Sequence, residues 1–170
     1  MRDLLCVNLI VEVEEANEIL SERQVKIAER VLSHCAGDHG YSNIVIVNEG
    51  TIRQLNMDHR GLDEVTDVLA FSMDHEGYFY GEDTEGRYER SHQEFVLPPG
   101  AHLHLGEVVI CFSQAMKQAR SFHISVEDEI NKLVAHGFLH LMGYDHVEPE
   151  EEREMSLLQE KIVAEVIDFE

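Results

Sequence analysis

The stretch from Ala135 to His146, A-H-G-F-L-H-L-M-G-Y-D-H, restricts this chain more than any other. His136 and His140 are four residues apart, so on a helix they stand one above the other on one face. Both imidazoles can then reach one metal ion. Gly143 follows, and glycine can close a helix by taking a positive φ. A chain reversed there can bring His146 back to the same ion. Three neutral imidazoles and one open position describe a catalytic zinc site rather than a closed structural one. The spacing predicts one zinc ion held by His136, His140 and His146.

Zinc peptidases of the metzincin type carry H-E-x-x-H-x-x-G-x-x-H. His136, His140, Gly143 and His146 fall at its histidine and glycine positions. The peptidase glutamate, the base that activates water, is Gly137 here. The site is therefore expected to hold zinc without the residue that makes a peptidase. The missing side chain is expected to leave room beside the ion.

The 170-residue length fits a single domain, 1–170. Thirteen basic against 34 acidic side chains give a net charge of −21, which disfavours broad neutralisation of phosphates but leaves room for a local basic cleft. The acids concentrate in Glu148 to Glu154 and between Glu76 and Glu94. Cys6, Cys35 and Cys111 are odd in number and form no C-x-x-C pair, which fits a reducing compartment. The N-terminus lacks the apolar run of a signal peptide, and nothing approaches the roughly 18 apolar residues of a membrane span. A cytoplasmic protein is expected.

Along the chain, Leu4 to Ile10 is β-prone. Ser21 to Cys35 has a helical stripe of Val25, Ala28, Val31 and Leu32, with Ser21 and Gln24 as a capping box. Ile44 to Val47 predicts a strand, Thr51 to His59 a short helix, Val65 to Met73 a third strand and Leu105 to Cys111 a fourth. Asp74 to His104 is polar and glycine-rich, with a hairpin possible through Tyr78 and Tyr80. Ser113 is expected to cap a helix to Arg120. Ser125, with Asp128 three positions on, opens the histidine helix, and Val126, Ile130, Leu133, Val134, Phe138 and Leu141 form its buried face. Pro149 starts a last helix with three glutamates in its first turn, which suits the helix dipole.

Three blocks carry a family resemblance. They are H-G-x-L-H-L-x-G-Y-D-H from His136 to His146, the R-G-x-D-x-x-T-D-V-L-x-F block from Arg60 to Phe71, and Leu105, Gly106 and Glu107. With Met155 and Gln159 they cover most of the chain from Leu55 onward, and they resemble the YbeY family of metal-dependent endoribonucleases. The resemblance implies an α+β fold: a small mixed sheet of about four strands packed by helices, with a zincin-like metal helix. It implies one Zn2+ on His136, His140 and His146, and a functional arginine at Arg60. It implies single-stranded RNA as substrate, in ribosomal RNA maturation and ribosome quality control. The small ribosomal subunit and its assembly factors are the expected partners, with no DNA and no membrane. The alternatives are a peptidase-like metal hydrolase and a non-catalytic zinc-containing ribosome-assembly factor.

Several residues keep two readings. From the residues alone Arg60 is either a surface arginine at a helix end or a guanidinium that answers phosphoryl charge with a fork that lysine lacks. Asp67 orients a ligand or caps a turn. Glu129 is a solvated helix charge or a carboxylate behind the ligands. Asp145 holds the turn or accepts a histidine N–H. His102 and His104 share a strand face and allow a second metal. Cys111 and Tyr144 are expected to pack.

Overall fold

The computed structural model describes residues 5–35, 40–73, 103–144 and 148–168. Its strands are β1 (Cys6–Val11), β2 (Tyr41–Val47), β3 (Val68–Ser72) and β4 (His104–Cys111). Its helices are α1 (Glu22–Cys35), α2 (Glu49–Arg60), α3 (Phe112–Phe122), α4 (Val126–Leu141) and α5 (Pro149–Asp168). A short 3-10 helix, Glu14–Glu18, links β1 to α1; the sequence pattern did not predict it. No helix is long and apolar enough, among the described residues, to cross a membrane.

Strand order is β1-β2-β4-β3. The first three run parallel, and β3 pairs antiparallel to β4, with Val68 opposite Ile110 and Ser72 opposite Gly106. This is the expected small mixed sheet packed by helices. Period-2 alternation assigns its two faces. Ile44, Ile46, Val108 and Ile110 point into the main core with Ile27, Val31 and Leu32 of α1 and Ile130, Val134 and Phe138 of α4. Met155 and Ile162 of α5 close the same core. On the other face Val47, Leu69, Val109 and Cys111 pack against Ile52 of α2. β4 is covered on both faces, which is why V-V-I-C reads as an unbroken apolar run.

The pairing shifts where β2 meets β4: Tyr41 lies opposite His104, but Ser42 lies opposite Gly106. Gly106 has φ 137°, and a Cβ there would collide with the Phe71 carbonyl. Only glycine lets β4 bulge that close to β3.

The helix starts follow side-chain chemistry. Gln24 Oε1 accepts from the Ser21 backbone N–H at 2.8 Å, the expected capping box. Ser125 Oγ accepts from the Asp128 N–H at 3.0 Å and donates to its carboxylate at 2.7 Å. α2 begins earlier than its apolar pattern suggests, because Asn48 caps it by accepting from the Thr51 N–H at 2.9 Å. Ser113 is not a cap. It lies inside the first turn of α3 and donates to Glu49 at 2.9 Å.

β3 starts at Val68, not Val65, because residues 61–67 are pinned as a loop. Arg53 forks onto Asp63 at 2.7 and 2.8 Å, and Asn56 donates to the Glu64 carbonyl at 2.9 Å. The Asp67 carboxylate accepts from the Val68 N–H at 2.8 Å and from Gln118 Nε2 at 2.9 Å. Asp67 is thus a turn residue tied to α3. The hairpin expected through Tyr78 and Tyr80 lies outside the described residues.

Candidate metal centre

α4 builds the centre. Its face toward the sheet is apolar, and His136 and His140 stand on the flank of that face. The two rings meet edge to face at 84°, with centroids 4.5 Å apart. Their Nε2 atoms are 3.0 Å apart. His140 is 8% exposed, so its ring is held by protein rather than by solvent.

The outer ring nitrogens set the tautomers. His136 Nδ1 lies 3.2 Å from Gln159 Oε1 on α5, and His140 Nδ1 lies 2.9 Å from the Tyr144 carbonyl oxygen. Both oxygens accept, so both Nδ1 atoms donate, and each neutral ring then carries its lone pair on Nε2. Two lone pairs facing each other at this distance repel unless a cation stands before them. Nitrogens held about 2.0–2.1 Å from one tetrahedral zinc lie roughly 3.3 Å apart, close to the separation found. The donor set fits a metal ion, and the two oxygens are the orienting partners such ligands use.

The turn after α4 follows the glycine. Gly143 has φ 89°, and the Tyr144 N–H bonds the Leu139 carbonyl at 3.0 Å. This reversal carries the Tyr144 carbonyl back under His140. His146 and Asp145, which follow, lie outside the described residues, as does His102.

Two expectations change here, and a third residue, His104, finds its neighbours. Gly137 does not open space beside an ion. It is buried, and a Cβ built on it would run into the Val108 side chain, with Val68 also in contact. The absent side chain lets α4 sit close on β4 and β3. Glu129 is not solvated: it is 5% exposed, and its Oε2 has no hydrogen-bond partner among the described residues. Burial raises its pKa; Lys132 lowers it and the Asp67 charge raises it further. His104 stacks on Tyr41, with centroids 4.6 Å apart, and lies 3.9 Å from Glu107.

Arg60 ends α2, which packs on the opposite face of the sheet from α4. Arg60 is half-buried as a residue, and its guanidinium has no hydrogen bond or ion pair among the described residues. The neighbouring His59 ring meets Phe71 of β3 edge to face at 5.0 Å. The structure brings His136 and His140 together; it makes no contact between them and Arg60.

Two partners of the histidine rings drew no role from the sequence. Gln159 was counted with Met155 in the family resemblance but was given no role toward His136. Tyr144 acts through its main chain, which carries no side-chain signal. Its side chain contacts Cys35, and burial pushes that thiol's pKa up.

A family model described as "Endoribonuclease YbeY" matches residues 10–167. An Endoribonuclease YbeY of Shouchella clausii is 37% identical over 158 residues, covering 90% of this chain and 92% of its own. That of Bacillus subtilis is 32% identical over 161 residues, covering 92% and 94%. The solution structure of TM1509 from Thermotoga maritima superposes with a TM-score of 0.57 at 29% identity, covering 94% of this chain and 88% of that one. The family match spans nearly all of the chain, including the paired histidines, Gln159 and Arg60. The chain belongs to the endoribonuclease YbeY family.

Proposed function

We propose that this chain is a zinc-dependent endoribonuclease that cuts single-stranded RNA in the maturation of small-subunit ribosomal RNA and in ribosome quality control. The observation that carries the metal is the meeting of two Nε2 lone pairs at 3.0 Å, each turned inward by an oxygen on its Nδ1. His136, His140 and His146 hold the ion. When bound, the ion supplies Lewis acidity and a lowered pKa for water. The endoribonuclease names of the relatives support RNA as the substrate.

Gln159 and the Tyr144 carbonyl keep both rings in the tautomer that presents Nε2. Arg60 answers charge that gathers on phosphoryl oxygens, as a planar fork can. It is suited to this because no internal carboxylate engages it among the described residues. β3, which the Arg60 end of α2 meets through His59, packs against α4, so an extended RNA strand lying along that edge can touch both. A peptidase is disfavoured because a glutamate at Gly137 has no room against Val108. The small ribosomal subunit and its assembly factors are the partners in which this cleavage takes place, in the cytoplasm.

The test combines metal analysis with cleavage of a single-stranded RNA. The purified protein is expected to carry about one zinc, lost with cleavage in His140→Ala. Arg60→Ala is expected to keep zinc and fold but lose cleavage by on the order of a hundredfold, with poor rescue by Arg60→Lys. Full cleavage by zinc-free His140→Ala would refute the metal role. Wild-type rates in both Arg60 variants would make that side chain structural.

A further inference from the structure

Four helix turns of α4 place Glu129 two turns before His136, on the same flank. There it is buried, on a helix that packs against α3. A carboxylate 5% exposed with an unpartnered Oε2 is costly as an anion. Gln118 on α3 has the matching defect. Its Nε2 donates to Asp67 Oδ2 at 2.9 Å, while its Oε1 is buried with no partner among the described residues. Both orphaned atoms are acceptors when Glu129 is ionised, so neither can satisfy the other. A single proton on Glu129 would turn one of these acceptors into the donor that the other lacks.

The charges around Glu129 favour that proton. Among the described residues, Lys132 on its own helix and Asp67 before β3 act on it, and Asp67 is in turn bonded by the neutral Gln118 of α3. Lys132 is exposed, and Asp67 has the same sign as Glu129. Burial is the largest influence, and it too favours the neutral form.

We propose that Glu129 is held as a neutral acid donating to Gln118 Oε1, so that Glu129, Gln118 and Asp67 form one chain that positions the Arg60–Asp67 segment for RNA cleavage. Asp67 is the last anchor of that segment. Its carboxylate takes the Val68 N–H, and its carbonyl takes the Cys111 N–H at 2.8 Å. Farther back the segment is tied to α2 at Asp63 and Glu64. Glu129 is thus a positioning residue acting through Gln118. The cleavage arm rests on the endoribonuclease function proposed above; the protonation arm does not.

Carboxyl 13C NMR of glutamate-labelled protein tests the proton, with Glu129→Gln identifying the resonance. Glu129 is expected to stay neutral at pH 7, where exposed glutamates are ionised. Its folded pKa lies above its unfolded one, so its stabilising contribution is full below about pH 4 and is lost as pH rises through the folded value. The Tm gap in favour of Glu129→Gln is therefore expected to widen as pH rises above 4. In cleavage, Glu129→Gln is expected to retain on the order of tenfold more kcat than Glu129→Leu. Gln118→Leu is expected to lose a similar factor with zinc content unchanged. Titration of Glu129 together with the surface glutamates overturns the proposal, as does equal loss in the Gln and Leu variants. A wild-type protein that cuts no RNA sinks the endoribonuclease function, while the NMR and stability series still decide the proton.

Discussion

His136 and Gly137 are adjacent in sequence yet stand under different physical demands. His136 faces the flank of α4, where its ring is held by Gln159 and confronts His140. Gly137 faces the sheet, where even one carbon meets Val108. The first position is set by chemistry and the second by the distance between a helix and a strand. The block H-G-x-L-H thus joins a position held by polar partners to one held by packing.

The largest effect that separates the two positions comes from filling the glycine. Gly137→Glu is expected to yield little folded protein, since it buries an unpaired charge against β4. Gly137→Ala is the milder test. Alanine favours a helix over glycine by about 1 kcal/mol, yet overpacking costs about 1–3 kcal/mol. A net loss in Tm, with the zinc content of the folded fraction unchanged, is expected in thermal melts with metal analysis. A Gly137→Ala protein as stable as wild type would show that α4 can lift off Val108, and that packing does not fix the glycine.

A smaller effect is expected on the histidine side. Gln159→Leu keeps the bulk of the side chain but removes the acceptor on His136 Nδ1. Losing such an outer partner costs metal affinity by about 10–100-fold. Competition with a chelator measures this directly, and Tm of the zinc-free protein is expected to change little. Unchanged affinity would mean that His136 is oriented without Gln159.

Much of this comparison was legible in the residues. The i, i+4 histidines, the turn at Gly143, the Ser21–Gln24 and Ser125–Asp128 starts and the apolar stripes of α1 and α4 depend on local periodicity and capping. What could not be read depends on contacts between distant segments. Glu129 has the composition of a solvated charge, and only the packing of other elements on α4 buries it. Gly137 looks like free space until β4 is laid beneath it. Val65 to Val68 looks like strand until Asp63, Glu64 and Asp67 are seen held by side chains of α2 and α3. The Tyr144 carbonyl is invisible to any pattern of side chains. Arg60 illustrates the limit from the other side: its family block is plain, but its relation to the histidines is not made by any direct contact.

The smallest effect concerns the two arginines of α2. Arg53 is locked in a fork with Asp63, whereas Arg60 engages no carboxylate among the described residues. The Arg53 hydrogen bonds, and then its charge, hold the Asp63 carboxyl below the usual aspartate range. An acid with a lowered folded pKa stabilises the fold above its unfolded value, near pH 4, and that contribution is lost as pH falls through the folded value. Asp63→Asn is therefore expected to lower Tm slightly at pH 7 and to converge on wild type at acid pH. The pair is exposed, so added salt is expected to shrink the difference further. Cleavage is expected to fall less than in Arg60→Ala, because Arg53 acts only by bracing the loop that follows Arg60. Arg53→Ala falling as far as Arg60→Ala, with zinc retained, would mean that loop placement rather than the Arg60 guanidinium limits the reaction. The contrast between a braced arginine and an available one would then lose its functional meaning.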